Sequence, residues 1–533
     1  MSRRTLAAAG LTLLLTLACA DASATWRYRL TLRDKAGATL APLSERAMAR
    51  RAAQGIELDS LDLDLSPAYV DSLLAAGLTE VTRSRWMNTI VVQRPDGAAV
   101  ADTVWARFGF IAERLTVSKT QSFAAGAPPA AGAAPPDATD GQRAHARKYG
   151  TTYDAATYGG GGGGGRLPLE SFRSPVLELK GEALLTAGHR GAGKLIAVLD
   201  AGFRNVDKRD HLHRGVVGWR DMYRPAATDS TYIYGGVADS HGAECLSAMA
   251  SDSARGVWGT APDAQFYLVR TEYAPHETPL EEDMWIAGAE LADSLGADLI
   301  SSSLGYYEFD IAGTSYTQSQ LATGQAYITR GAMAATARGI LVVCAAGNEG
   351  YSSWGTIDFP SDAESVIAVG ATTPQLDVAS FSSPGFLAPW VKPDVVCRGQ
   401  GAYVINTSTG NAMQGDGTSY ATPLMCGLIA SLWSAAPSLT AAQVRDIVRR
   451  SANHYDTPAA SYGYGMPNFR TALAEALELE ATMGLPPHPA IDDASPADAP
   501  LYDLTGRRCS APLAPAGGYY IREGRLIMRA AGR

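Results

Sequence analysis

Cysteine is scarce in this chain of 533 residues, which contains only six. No two of them have the spacing of a metal site, and a chain of this length does not need a disulfide scaffold to fold. We therefore predict that most are small buried hydrophobic residues, and we predict no metal site. They are Cys19, Cys245, Cys344, Cys397, Cys426 and Cys509.

Positive charge and long apolar runs are also in short supply. The net charge of −9 and the pI of about 5.5 argue against a nucleic-acid partner, which would require a basic face. Hydrophobic residues make up 46% of the chain and charged residues 19%, which is typical of a globular protein. No apolar run is long enough to cross a bilayer, so no transmembrane segment is predicted.

Residues 1–24 are predicted to be a secretory signal peptide. A basic start at residues 2–4 precedes an apolar core at 6–18, and small residues at 22–24 offer a cleavage site. We therefore expect a secreted protein. Lipid attachment at Cys19 is an alternative, but the three residues before it match that signal poorly.

Residues 25–120 are predicted to form a small α+β domain. Three strand-like patterns support it, at residues 26–32, 86–92 and 115–117. Two helix-like patterns lie at residues 66–74 and 100–108. Residues 121–184 are rich in alanine, proline and glycine and are predicted to be a flexible linker. Both an inert spacer and a processing site fit that composition.

Residues 185–478 alternate apolar strand-length runs with helical periodicity. The apolar runs lie at 194–199, 297–300, 340–343 and 366–369, and the helical segments lie at 281–295 and 327–338. This alternation predicts an α/β domain with a mostly parallel sheet and helices on both faces. Thr440 and Gln443 predict a capped helix near its end. Residues 484–533 begin proline-rich and acidic and end in strand-like pieces, which predicts a short β tail.

Three polar residues follow predicted strands or precede a helix, where catalytic groups gather in parallel sheets. Asp200 is placed to orient a histidine, but it also fits a simple turn. His241 precedes an apolar helical stretch, although a lone histidine is usually structural. The amide of Asn348 is able to donate to an oxyanion, but Gly-Asn is also an ordinary turn.

The most informative stretch is Gly417-Thr418-Ser419-Tyr420-Ala421-Thr422-Pro423. Gly417 permits a tight turn, and Pro423 is tolerated only near a helix start, so a helix is predicted to begin close to Ser419. Ser419 would then expose its Oγ beside unpaired N–H groups, which suits attack on a carbonyl. An ordinary N-cap fits the same pattern and is far commoner.

The joint occurrence of these residues favours acyl transfer. Ser419 would be the nucleophile and His241 the general base and then the acid. Asp200 would hold the imidazole tautomer, while Asn348 and the Ser419 N–H would bind the oxyanion. The order Asp, His, Ser along the chain is one in which this geometry is known to occur.

Five motifs in this order resemble those of the subtilisin-like serine peptidases, over roughly residues 185–475. They are Val198-Leu199-Asp200-Ala201-Gly202, His241-Gly242, Ser303-Leu304-Gly305, Ala345-Ala346-Gly347-Asn348 and the Ser419 heptapeptide. The resemblance implies the three-layer subtilase fold and peptide-bond hydrolysis by Asp200, His241, Asn348 and Ser419. Two positions depart from the family pattern. Ala201 stands where Ser or Thr is usual, and Ala243 stands where Thr is usual.

The outer segments resemble other parts of subtilases from Bacteroidota. Residues 26–120 look like their propeptide, which implies a folding assistant and an intramolecular inhibitor. Residues 501–521 resemble the C-terminal sorting domains of that phylum, which implies a cell-surface alternative to release. The resemblance further implies protein or peptide substrates and a monomer. Calcium is common in the family, but no ligand cluster for it is identified.

Specificity is read from the family's substrate pocket. The resemblance places its walls in two segments and its floor just before Phe359-Pro360. The implied pocket residues are Ser303, Leu304, Gly305, Ala346, Gly347 and Asp358. With Glu349 near the rim, an acidic floor would favour Lys or Arg before the scissile bond. The alternative is that Asp358 points to solvent.

Two other functions fit parts of the sequence. An α/β-hydrolase esterase would use Gly417-Thr418-Ser419-Tyr420-Ala421 as its nucleophile elbow, but its acid and histidine must follow the serine. Asp446 and His454 do follow it, but they lie close together around a single helix end and leave the upstream motifs unexplained. The second alternative is a catalytically silent binding protein on a subtilase scaffold.

Overall fold

The computed structural model describes residues 25–120, 151–153, 169–252, 257–273 and 275–483 and four short strands between 501 and 528. The predicted signal peptide, with Cys19, and most of the linker lie outside the described residues. Within the described part of the chain, none of the helices combines the length and the apolarity that crossing a membrane requires.

The first unit is an antiparallel sheet with helices, as predicted for residues 25–120. Its elements are β1 (Thr25–Leu32), α1 (Glu45–Ala53), a 3-10 turn (Ser60–Asp62), α2 (Pro67–Ala75), β2 (Thr79–Ser84), β3 (Thr89–Gln93), α3 (Asp102–Trp105) and β4 (Ile111–Thr120). The strands run in the order β2-β3-β1-β4. One sheet face and α2 enclose a small core that includes Leu30, Leu73 and Trp105.

The second unit begins with β5 (Thr151–Tyr153) and ends with a long helix. Its first half contains α4 (Leu169–Glu178), α5 (Glu182–Thr186), β6 (Leu195–Asp200), a 3-10 turn (Val206–Lys208), α6 (Asp210–His213), β7 (Val216–Asp221), α7 (His241–Ala250), β8 (Gln265–Arg270) and α8 (Leu280–Leu295). Its second half contains β9 (Leu299–Ser302), a 3-10 turn (Gln318–Gln320), α9 (Tyr327–Ala337), β10 (Leu341–Ala345), β11 (Ile367–Thr372), β12 (Val395–Arg398), β13 (Ala402–Ile405), β14 (Ala412–Asp416), α10 (Thr418–Ala435), α11 (Ala441–Arg450) and α12 (Phe469–Thr482).

Seven strands form one parallel sheet in the order β12-β11-β10-β9-β6-β8-β7. Alternate residues of β6 point to opposite faces, so Ile196 and Val198 join one apolar core while Ala197 and Leu199 join the other. Helices α7 and α10 cover the first face, and α8 and α9 cover the second. The predicted three-layer α/β fold with a mostly parallel sheet is confirmed.

Helix α11 has the predicted cap. The Thr440 side chain accepts the Gln443 N–H at 3.2 Å, and the Gln443 side chain accepts the Thr440 N–H at 2.8 Å. The reciprocal pair satisfies two backbone donors at the helix start. In the tail, β15 (Leu501–Tyr502), β16 (Arg508–Cys509), β17 (Tyr519–Arg522) and β18 (Arg525–Met528) form a four-stranded sheet, as the strand-like pieces predicted.

The first unit packs on α8 and contributes to the core of the second. Trp86 and Val117 lie in the same apolar cluster as Met284 of α8. Beside that cluster, the Arg29 guanidinium donates to both carboxylate oxygens of Asp283, each at 2.7 Å. Both side chains are buried, so the two units share a joint apolar and ionic interface.

Candidate active site

Asp200 is the last residue of β6 and is fully buried. Its Oδ1 accepts the Ala201 N–H at 2.7 Å and lies 2.8 Å from Nδ1 of His241, 41 positions later in the chain. The parallel sheet presents its carboxyl ends at one edge, which is why a residue ending β6 meets one that begins α7. The prediction that Asp200 lies against His241 is therefore consistent with the geometry, and the simple turn does not account for it.

His241 begins α7, with its N–H donating to Asp239 Oδ1 at 2.8 Å. A Cβ at Gly242 would lie 2.7 Å from the Asp200 Cβ and 2.6 Å from the Gly202 carbonyl oxygen. Only a glycine allows the helix start to approach β6 this closely. The close approach holds the imidazole against the carboxylate.

The charge state of His241 depends on its carboxylate partner. Burial alone would lower the pKa of the imidazole, but the Asp200 carboxylate outweighs burial, and the pKa of His241 lies well above its ordinary value. When Nδ1–H donates to Asp200, Nε2 carries the lone pair that accepts a proton. Cys245 is predicted only as a buried residue, yet its Sγ lies 3.8 Å from Nε2.

Ser419 is the second residue of α10, and its side chain is buried. The predicted exposed Oγ is wrong, because the loop after β9 crosses the helix start and Ser419 Oγ donates to the Ser303 carbonyl at 3.3 Å. The N-cap alternative is wrong as well. Gly417 occupies the cap position, and it is extended, with φ of 163°, rather than tightly turned.

Helix α10 begins at Thr418, close to Ser419 as predicted, and Pro423 lies in its second turn. Proline has no N–H, so the Ser419 carbonyl lacks its usual helical donor. Ser303 Oγ donates to that carbonyl at 2.7 Å and Cys245 Sγ at 3.4 Å. The same sulfur touches the His241 ring, so Ser419 and His241 lie on either side of Cys245.

Asn348 follows β10, and its side chain faces the start of α10. Its Oδ1 accepts the Thr418 N–H at 2.9 Å and the Thr418 Oγ1–H at 3.0 Å. Because a backbone N–H can only donate, the amide atom facing Thr418 must be oxygen. The Nδ2 donors therefore point away from Thr418, and Asn348 also supplies the cap that Gly417 lacks.

The predicted pocket segments meet at Asp358. A Cβ at Gly305 would lie 2.7 Å from Asp358 Oδ2, and a Cβ at Gly347, where φ is 109°, would collide with the same atom. The Asp358 N–H also donates to the Ala346 carbonyl at 3.1 Å. Only 6% of Asp358 is exposed, so the solvent-pointing alternative is wrong. Glu349 is also buried, so it does not lie at the pocket rim where it is expected.

Two other predicted pocket residues, Leu304 and Ser303, make contacts inside the protein. Leu304 is fully buried in the apolar core beneath α8, and the Ser303 hydroxyl is engaged by the Ser419 carbonyl. Among the described residues, Asp200, His241 and Cys245 form a group whose ligand atoms are close enough to hold a metal. The hydrogen bond between Asp200 and His241 already accounts for that proximity.

The four cysteines whose side chains are described, Cys245, Cys344, Cys397 and Cys426, are free and buried, as predicted. Burial raises the pKa of each thiol. They are therefore inert packing residues at neutral pH. Cys245 differs from the other three in its position, because its Sγ contacts both His241 and Ser419.

The parallel sheet places an acid, a histidine and a serine near its carboxyl edge, an arrangement that fits a serine hydrolase. The sequence matches the Subtilase family over residues 191–465 and the Peptidase S8 propeptide domain of Bacteroidota over residues 27–126. The chain therefore belongs to the subtilase family and is a serine-type endopeptidase with an S8 propeptide domain. The esterase alternative is wrong.

Several curated relatives are subtilisins. Subtilisin DY from Bacillus licheniformis is 30% identical over 296 residues, which span 55% of this chain and 96% of that relative. Subtilisin E from Bacillus subtilis (strain 168) is 30% identical over 308 residues, spanning 56% and 70%. Among solved structures, the self-cleaved protease domain of PatA is 20% identical, with a TM-score of 0.42, over 54% of this chain and 98% of that one.

Proposed function

We propose that this endopeptidase hydrolyses peptide bonds through Ser419, His241 and Asp200, with an acyl-enzyme intermediate. The observation that carries the proposal is the buried 2.8 Å contact between Asp200 Oδ1 and His241 Nδ1. Cys245 supports it, because one sulfur lies 3.8 Å from His241 Nε2 and 3.4 Å from the Ser419 carbonyl.

The reaction would begin with a turn of the Ser419 side chain. Its Oγ donates to Ser303 in the full-length chain, so it must rotate toward His241 Nε2. Nε2 then takes the Oγ proton as Oγ bonds the carbonyl carbon, and Asp200 stabilises the imidazolium. Nε2 returns the proton to the amine as the C–N bond breaks, and water repeats the sequence to release the acid.

Asn348 would stabilise the oxyanion of each tetrahedral intermediate. Its Oδ1 is engaged by Thr418, which holds the amide plane and directs the Nδ2 donors to the opposite side. The Ser419 N–H, at the start of α10, would be the second donor. Loss of one such donor typically costs about 100- to 1,000-fold in kcat.

Covalent labelling tests the nucleophile. Wild type with its propeptide removed should react with a fluorophosphonate, whereas Ser419→Ala should not. Ser434→Ala is the matched control, because Ser434 lies on the same helix and donates to the Ser431 carbonyl far from His241. A labelled Ser419→Ala would overturn the proposal, and an unlabelled wild type would favour the silent binding protein.

We further propose that Asp358 gives the pocket a preference for Lys or Arg before the scissile bond. Its carboxylate lies against Gly305 and Gly347, in the two segments assigned to the pocket walls. A hydrogen-bonded ion pair in such a partly dry site is worth about 1.5–3 kcal/mol, or roughly 10- to 100-fold in kcat/KM.

Peptides that differ only at that position test the preference. Wild type should cleave after Arg and Lys at least tenfold better than after Leu, and Asp358→Asn should lose that difference while it keeps cleavage after Leu. Asp377→Asn, in an exposed turn, should behave as wild type. Equal cleavage after Leu and Arg by wild type would rule the preference out.

We also propose how the precursor is organised. Residues 1–24 would direct export, and residues 25–120 would inhibit the 185–478 peptidase domain until cleavage within the 121–184 linker. The 484–533 tail would be a sorting domain, and the mature enzyme a monomer. The S8 propeptide match over residues 27–126 supports the inhibitory segment.

A further inference from the structure

Glu244 lies on α7 one turn after His241, and only 7% of it is exposed. Both carboxylate oxygens are engaged by hydroxyl groups. Ser240 Oγ donates to Oε1 at 2.9 Å, and Tyr420 Oη donates to Oε2 at 3.0 Å. The first donor precedes His241 by one residue and the second follows Ser419 by one residue.

The Tyr420 ring is held in place by the strand that leads to α10. A Cβ at Gly415 of β14 would lie 2.6 Å from the ring carbon Cε2. The ring is buried, and its centroid lies 6.0 Å from the centroid of the His241 imidazole. The hydroxyl therefore has a defined direction, toward Glu244, and the contact joins the N-terminal ends of α7 and α10.

The charge of Glu244 is coupled to the charge of His241. Burial raises the pKa of Glu244 to about 7, and the His241 charge acts against that rise. The coupling is reciprocal, so an ionised Glu244 favours the imidazolium. The nearby titratable groups are Asp200, Asp239, His241, Cys245 and Tyr420.

We propose that Glu244 is a positioning residue for peptide hydrolysis: its carboxylate, held by Ser240 and Tyr420, ties the helix of His241 to the helix of Ser419 and stabilises the imidazolium. The inference rests on the roles proposed above for His241 and Ser419. Glu244 itself touches no reacting atom. Its effect is exerted through the orientation and charge of His241.

The pH dependence of kcat/KM tests the inference, on processed enzyme obtained from the full-length chain. Glu244→Gln should lower kcat roughly 3- to 10-fold at pH 8 with KM within about twofold of wild type. The acidic limb of kcat/KM should move down by about half a pH unit or more, because the imidazolium loses a nearby negative charge. The variant should therefore be relatively more active at pH 6 than at pH 8.

Two further variants separate positioning from packing. Glu244→Asp keeps the charge and should restore the acidic limb, while Tyr420→Phe should lower kcat and add little when combined with Glu244→Gln, since both disrupt one contact. Glu480→Gln is the matched control, because Glu480 lies on α12, where its carboxylate accepts the Ser438 N–H. It should leave the pH profile unchanged.

The outcomes are distinct from those that test the catalytic serine. A wild-type pH profile and kcat in Glu244→Gln would overturn the inference, as would a lower melting temperature with an unmoved acidic limb. Ser419→Ala is assayed alongside. If it stays active, the proposed nucleophile is wrong; if it is inactive while Glu244→Gln matches wild type, only the role of Glu244 is wrong.

Discussion

At the scale of single residues, the site depends on side-chain hydrogen bonds that replace a usual helical one. The Ser419 carbonyl has no helical donor because Pro423 lacks an N–H, and Ser303 and Cys245 donate instead. Through these two hydrogen bonds, the loop after β9 and the helix of His241 contact the residue proposed as nucleophile.

Replacing Asp200 with Asn should lower kcat about 1,000- to 10,000-fold, because the amide favours the wrong imidazole tautomer. The substitution should also change stability with pH. The pKa of His241 is raised, so the ion pair contributes stability below about pH 6.5, and the contribution is lost as pH rises through the raised pKa.

Denaturation midpoints at pH 6 and pH 9 measure this second effect. The difference between wild type and Asp200→Asn should be larger at pH 6. Asp377→Asn, exposed and distant, should show no such dependence. An equal difference at both pH values would mean that the pair does not stabilise the imidazolium.

At the scale of elements, α8 carries the ionic face that receives the first unit. Asp293 Oδ1 accepts Arg50 Nη2 at 2.5 Å, and Oδ2 accepts Arg51 at 2.6 Å and Arg85 at 3.0 Å. All four side chains are largely buried. One carboxylate therefore contacts three guanidinium groups, two from α1 and one from the segment after β2, with Asp62 and Glu290 as further partners of Arg51 and Arg85.

Asp293→Asn should weaken the hold of the first unit on the peptidase domain by about 100-fold or more. Removing one member of a buried ion pair leaves the other charge uncompensated, at a cost of about 3–5 kcal/mol. In a Ser419→Ala chain nicked within the linker, gel filtration should show residues 25–120 retained, and the added Asp293→Asn should release them.

Asp263→Asn is the control for this experiment, since Asp263 pairs with Arg190 at an exposed site within the peptidase domain. It should leave the nicked complex intact. Retention of the first unit by Asp293→Asn at the same protein concentration would show that the remaining contacts, the Arg29–Asp283 pair and the packing of Trp86 and Val117 among them, suffice to hold it.

At the scale of the whole molecule, the two units complete one core. Side chains of the first sheet enter the apolar cluster between the parallel sheet, α8 and α9. The S8 propeptide match covers this first unit, and the unit covers a face of α8 that its removal would expose. Inhibition and assistance in folding, which the propeptide resemblance implies, both fit an interface of this kind.

Processing provides the test at this scale. N-terminal sequencing of the mature secreted protein should find a start between residues 121 and 184, and Ser419→Ala should remain full length. Ser434→Ala should be processed like wild type. A normally processed Ser419→Ala would mean that another peptidase removes the first unit.

Patterning predicted four central strands of the parallel sheet but missed the buried strand β8 and two less apolar elements. The runs that became β6, β9, β10 and β11 were all identified because central parallel strands are continuously apolar. Strand β7 was missed because it is an edge strand and half-exposed. Helix α1 was missed because Arg50 and Arg51 occupy its buried face, where an apolar stripe is expected.

The sequence by itself determined the residue types at the strand ends, their order along the chain, the family and the buried state of the cysteines, because motifs and periodicity are local properties. Only the tertiary structure decided which atoms meet. The contacts of Cys245 with Ser419, of Asn348 with Thr418 and of Glu244 with Tyr420 join positions 174, 70 and 176 residues apart. Such pairings depend on how helices cross between parallel strands, which no local pattern specifies.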